Sequence, residues 1–162
     1  MLRKVVLIFG LCALASLPAR AQDTRAEFFG GFSYTRFHTS PSINVNGWDI
    51  SGQYKFRDWV GGVADFAGQY GSGASIYTYL FGPQVSLPSR VSPFGHILVG
   101  GAHFGAGGGG ISSFGMAIGG GIDARIAERI NWRAVQVDYL MTQFGGGSQN
   151  NVRLSTGVLF RF

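Results

Sequence analysis

Apolar and polar residues alternate along most of this chain with a period of two. The clearest run covers residues 152–162. One phase reads Val152, Leu154, Thr156, Val158, Phe160, Phe162, and the other reads Arg153, Ser155, Gly157, Leu159, Arg161. Successive side chains of a strand point to opposite faces, so the run predicts a strand with one apolar and one mixed face. Residues 48–56 repeat the pattern, with Trp48, Ile50, Gly52, Tyr54 and Phe56 opposing Asp49, Ser51, Gln53 and Lys55. Less regular strands are predicted over 26–37, 59–70, 76–86, 93–103, 114–125 and 130–144. Glycine recurs too often, and the apolar spacing is too short, for an amphipathic helix of useful length.

These eight segments are separated by turn chemistry. An even count suits antiparallel closure with both chain ends on one side. The connections 57–58, 87–91 and 126–129 are short, whereas 38–47, 71–75, 104–113 and 145–150 are longer on average and richer in Gly, Ser and Asn. Short periplasmic turns and longer external loops are the pattern of outer-membrane barrels. The expected fold is therefore all-β: an eight-stranded antiparallel up-and-down transmembrane β-barrel. Within 130–144, Arg133 and Asp138 fall in opposite phases. Either a β-bulge lies between them or one of them points outward.

Ring volume decides which phase faces inward. The interior of an eight-stranded barrel is just wide enough for side chains to fill. Phe28, Phe32, Tyr54, Phe66, Tyr79, Phe81, Trp132 and Phe160 load one phase, while Gly31, Ser33, Ser51, Gly61, Ala117, Gly119, Gly121, Ser155 and Gly157 lighten the other. Rings outside and small residues inside is the expected arrangement. A soluble, periplasmic lipocalin-like binding barrel would reverse it, and is the competing reading. Aromatics near strand ends, namely Trp48, Phe56, Trp59, Tyr70, Tyr77 and Trp132, suggest two girdles at headgroup level, although aromatics also simply favour strands. The lighter phase carries Glu27, Asp49, Lys55, Asp65, Asp123, Arg125, Arg153 and Arg161. In a narrow lumen such charges must pair or meet water. A salt-bridged plug is expected rather than a gated ion path.

Composition narrows the class. The 162 residues fit one domain, and 27 Gly with 14 Phe, 6 Tyr and 3 Trp suit neither a disordered chain nor a helical bundle. Arg3 and Lys4, the apolar run 5–17 and Ala19-Arg20-Ala21 read as a cleavable signal peptide over residues 1–21, with the barrel domain at 22–162. The apolar run is shorter than the roughly 20 residues a spanning helix needs. Cys12 is the only cysteine and lies in that run, so a mature chain would have no thiols. The net charge of +5 drops to about +2 once Arg3, Lys4 and Arg20 are removed, and no basic run remains to favour a nucleic-acid partner.

Several stretches then carry a family likeness. Residues 27–34 (Glu-Phe-Phe-Gly-Gly-Phe-Ser-Tyr), 59–66 (Trp-Val-Gly-Gly-Val-Ala-Asp-Phe), Phe81-Gly82-Pro83, Ser92-Pro93-Phe94, Gly119-Gly120-Gly121-Ile122-Asp123 and Val137-Asp138-Tyr139 occur in that order. Together they resemble the outer-membrane β-barrel domain family related to the transmembrane domain of outer membrane protein A. The chain end, with Gly157, Phe160 and a terminal Phe162, resembles the signal read by the barrel-assembly machinery. The resemblance implies a place in the cell outer membrane, contact with its lipid and with that machinery during insertion, and a monomeric barrel. Larger relatives carry a periplasmic peptidoglycan-binding domain. The chain here stops at the barrel, so that function does not transfer.

Searches for chemistry return little. Residues 105–110 spell G-x-G-x-x-G, with Asp123 downstream, but a dinucleotide site needs a helix to begin there. Ser112, Ser113, Gly115 and the glycines at 119–121 oppose one, so a flexible external loop is expected. His38, His96 and His103 do not stand at metal-ligand spacing. His103 with Ser112 or Ser113 could begin a hydrolase site near the rim, but nothing fixes an acid beside them. No cofactor is called for. The expected function is a non-enzymatic outer-membrane barrel with a structural, surface or narrow-porin role. A lipid-facing enzyme of the same membrane is the alternative besides the soluble barrel.

Overall fold

A computed structural model describes residues 25–37, 43–71, 73–144 and 147–162. The expected signal peptide and His38 lie outside the described residues. Eight strands follow in order: β1 (Ala26–Phe37), β2 (Ile43–Arg57), β3 (Val60–Gly71), β4 (Ala74–Ser86), β5 (Val91–Ala106), β6 (Gly109–Ala127), β7 (Ile130–Phe144) and β8 (Gly147–Arg161). Each pairs antiparallel with its neighbours, and β8 returns to β1, closing the barrel. Closure leaves no sheet edge along the wall, which a chain in hydrocarbon requires.

The loops differ from expectation. Much of 38–47, 104–113 and 145–150 is strand, because the hairpins run on through the glycine-rich stretches. Gly105 pairs with Gly110 and Ala106 with Gly109 across a two-residue turn. Its central residues, Gly107 and Gly108, have φ of 58° and 89°. Positive φ at both positions is the type I′ geometry that matches strand twist, and glycine adopts it freely. The glycines that read as a loop therefore form a hairpin tip. β6 reaches 19 residues, well beyond the roughly 9–11 that cross a bilayer. It pairs with β7 only from Gly115 onward, so residues 109–114 pair with β5 alone, while β5 stays paired with β4 up to Ala106.

The faces sort as ring volume demanded. Phe28, Phe32, Tyr54, Phe66, Tyr79, Phe81, Trp132 and Phe160 are all exposed on the outside. Among the described residues, 21 polar or charged side chains are buried against 11 apolar ones, so the molecule is polar inside and apolar outside. Both Arg133 and Asp138 point inward. The register shifts by one residue at Ala134 against β6 and between Arg133 and Gln136 against β8, and this bulge resets the phase between Arg133 and Asp138. An apolar layer of Val63, Leu80, Leu98, Ala117 and Leu140 fills one level of the lumen.

Candidate functional site

The lumen holds a connected polar cluster. Arg153 on β8 is fully buried. Its Nε and Nη2 donate to Asp138 Oδ2 on β7 at 2.9 and 2.7 Å, and its Nη1 donates to Asp65 Oδ1 on β3 at 2.9 Å. β3 and β7 lie four strands apart in a barrel of eight, so this one guanidinium ties opposite walls together. Asp138 Oδ1 also lies 2.8 Å from His96 Nε2 on β5, and Asp138 Oδ2 accepts from Gln136 Nε2 at 2.8 Å.

A second arginine extends the cluster. Arg133 Nε and Nη2 donate to the two oxygens of Asp123 on β6 at 2.8 and 3.0 Å, a bidentate pairing, while Nη1 donates to Gln136 Oε1 at 2.7 Å. Its guanidinium carbon lies 4.1 Å from the ring centre of Phe94 and 4.6 Å from that of Phe29. Contact with aromatic faces suits a weakly hydrated planar cation. Gln84 Nε2 donates to Gln53 Oε1 at 2.8 Å, linking the β4 and β2 walls, and Ser155 Oγ donates to Asp49 Oδ2 at 2.6 Å. Bare strand makes room for all of this. A Cβ on Gly119 would collide with the Asp138 carboxylate, and one on Gly121 would press within 2.9 Å of the Phe94 ring.

Glu27, Asp49, Asp65, Asp123 and Arg153 are buried in the lumen. Lys55 and Arg161 are half-buried near the rim that carries the chain ends, where both reach Glu27 Oε1, at 2.6 and 3.3 Å. Arg125 is exposed at the same rim and lines a mouth cavity of about 150 Å³ with Glu27, Lys55, Gln84, Asp123 and Asn131. Of the aromatics near strand ends, Trp48, Tyr70 and Tyr77 gather towards the opposite rim. There Trp48 Nε1 donates to Tyr70 Oη at 3.3 Å, and Tyr70 and Tyr77 meet edge to face. Phe56, Trp59 and Trp132 are exposed towards the chain-end rim. Phe160 and Phe162 are exposed on the outer face, whereas Gly157 faces Gly31 across the β1–β8 seam.

Reading by residue type alone missed Arg133, Asp138, His96, Gln84, Gln136, Phe29 and Phe94 as partners in one cluster. The bulge hid the common facing of Arg133 and Asp138. Phe29 lies on the phase of Glu27, Gly31 and Ser33, but large rings were expected outside, which set it and Phe94 apart from the lumen residues. His103 lies on the outward phase, and its Nδ1 sits 2.9 Å from Ser112 Oγ. Among the described residues no carboxylate is hydrogen-bonded to His103, and no group of His, Cys, Asp and Glu is arranged to hold a metal.

Polar atoms without a protein partner flank the cluster. Gln53 Nε2, Ser86 Oγ and Asn131 Oδ1 lie towards the chain-end mouth, and Gln69 Oε1, Thr78 Oγ1, Thr142 Oγ1 and both amide atoms of Asn151 lie towards the far mouth. Buried polar groups of this kind call for ordered water. Asp49 Oδ1, on the carboxylate that accepts from Ser155, is likewise without a protein partner, so the call for water is not confined to the two mouths.

Known structures share this architecture. Neisserial surface protein A superposes with a TM-score of 0.64 at 16% identity, covering 85% of this chain and 97% of that one. The fold is that of the small outer-membrane barrels. Ail, the attachment invasion locus protein of Yersinia pestis, gives 0.56 at 17% identity over 86% and 100% of the two chains. The N-terminal β-barrel domain of Pseudomonas aeruginosa OprF gives 0.54 at 14% over 87% and 100%. No protein-family model and no curated protein sequence matches the chain.

Proposed function

We propose that the chain is a monomeric barrel of the cell outer membrane with a closed lumen, serving a structural or surface role and not forming a diffusion pore. The observation that carries this reading is the Arg153 clamp between Asp65 and Asp138, braced on the β4, β5 and β7 walls by the apolar layer of Leu80, Leu98 and Leu140. A narrow porin would need a continuous wet path where that clamp and layer sit. The inverted polarity of the two faces supports lipid as the surrounding medium, since a soluble binding barrel would keep its apolar face inside. The β6 arm of the β5–β6 hairpin, which runs on from Gly115 to Gly109 without a β7 partner and leaves Ile111 and Phe114 exposed, supports a role outside the bilayer. The names of the neisserial surface protein and of the Yersinia attachment protein point the same way. Gly157, Phe160 and Phe162 are the residues that would be read by the assembly machinery during insertion.

Planar-bilayer recording tests the closed lumen. The unmodified protein is expected to give no stepwise conductance. The Arg153→Ala, Leu80→Ala, Leu140→Ala variant, which removes both clamp and layer, is expected to give steps if it folds. Frequent open steps from the unmodified protein would return the reading to a narrow porin.

A further inference from the structure

Charge is distributed unevenly between the two rims. At the chain-end rim Arg25, Arg57, Arg90, Arg125 and Arg129 are exposed, against Asp58 and Glu128. At the far rim, among the described residues, Arg36 is the one exposed cation. Each of the three turns at the chain-end rim therefore has an arginine in it or at its edge. A groove opens on the outer wall just inside this rim. It is lined by Trp59, Val85, Leu87, Pro93, Phe94 and Gly95, and its surface is almost wholly apolar. Its frame is fixed by backbone bonds: Ser86 N–H donates to the Trp59 carbonyl at 2.8 Å, and Leu87 N–H to the Pro93 carbonyl at 3.0 Å.

The groove exists because β5 lacks a side chain at one outward position. Gly95 lies between outward-facing Pro93 and exposed Ile97, and its cross-strand partner on β6 is Gly120. A Cβ at Gly95 would touch only the Gly119 carbonyl at 3.7 Å, so nothing in the fold forbids a larger residue there. Arg57 precedes the turn that carries Trp59, and Arg90 sits in the turn that joins Leu87 to Val91. An apolar slot whose edge residues Trp59 and Leu87 lie two and three positions from two exposed arginines matches one ligand chemistry: an acyl chain continued by an anionic phosphate. We infer that this groove binds a glycerophospholipid with a net negative headgroup, its chain against Trp59, Val85, Leu87 and Pro93 and its phosphate held by Arg57 and Arg90. The inference rests on the membrane reading above and deepens it by naming the lipid class. Basic clusters at a membrane surface attract anionic lipid, and arginine's planar fork suits phosphate.

The test uses Trp59 as the reporter. The Trp48→Phe, Trp132→Phe variant is folded into phosphatidylcholine vesicles containing a small fraction of brominated-acyl phosphatidylglycerol or, separately, brominated-acyl phosphatidylcholine. At low ionic strength Trp59 is expected to be quenched as though brominated phosphatidylglycerol were enriched about fivefold beside it. A matching variant that keeps only Trp48, at the far rim, is expected to show no preference. Adding Arg57→Gln and Arg90→Gln is expected to abolish the enrichment, and Gly95→Leu, which fills the slot, to lower quenching by both lipids. Equal quenching of Trp59 by the two lipids, or enrichment that survives loss of both arginines, would overturn the inference and leave the membrane reading intact. Absence of quenching by either lipid would overturn the membrane reading as well.

Discussion

Replacing Arg153 with methionine is expected to destabilise the barrel by about 3–5 kcal/mol, because it strands two carboxylates in a closed lumen. Asp65 and Asp138 are both buried, and each loses its arginine partner in the variant. His96 and Gln136 remain on Asp138, but neither reaches Asp65. Unfolding by urea in detergent micelles, followed by the heat-modifiable shift on a gel, measures the loss. Adding Asp65→Asn and Asp138→Asn to Arg153→Met is expected to recover much of it, since removing a whole buried ionic group costs far less than removing one partner. A loss below about 1 kcal/mol for the single variant would show that the cluster behaves as a hydrated surface pair, and the closed-lumen reading would fall with it.

Placing an arginine at Ile118 is expected to cost about 2–4 kcal/mol in a bilayer, the penalty for a cation on the lipid face near the midplane. Ile118 is 47% exposed and pairs with Ile97 and Tyr139. It lies between Phe114 and Ala124, the latter paired with Trp132. The same substitution at Ile111, near the hairpin tip where β6 has no β7 partner, is expected to change stability by no more than about 0.5 kcal/mol. A folding titration in vesicles compares the two. Equal costs at both sites would place Ile118 in water and remove the bilayer from the account.

How much of this was legible in sequence depends on the element. Residues 48–56 and 152–162 alternate without interruption, and their facing follows from period together with ring volume. The glycine tract at 105–110 did not read as strand, because local propensity carries no information about the partner across the hairpin; cross-strand pairing overrides it. The lumen cluster was half visible. Asp65 and Arg153 stand on the light phase of regular strands, and Phe29 shares its phase with Glu27, Gly31 and Ser33, but its contact and that of Phe94 with the Arg133 guanidinium are not written in the period. The mouth charges Lys55, Arg161 and Glu27 were readable as lumen charges, but their position at a rim was not, because strand tilt and stagger set height and neither is written in periodicity.

The extra residue at Ala134 has a consequence for insertions and deletions. Most single-residue deletions inside a barrel strand would swap every following side chain between hydrocarbon and lumen. Removing Ala134 would not. Arg133, Val135 and Gln136 would then alternate in the ordinary way, and both arms of β7 would keep their present facing. Along this strand, therefore, chain length can change by one at a single joint without turning the wall inside out.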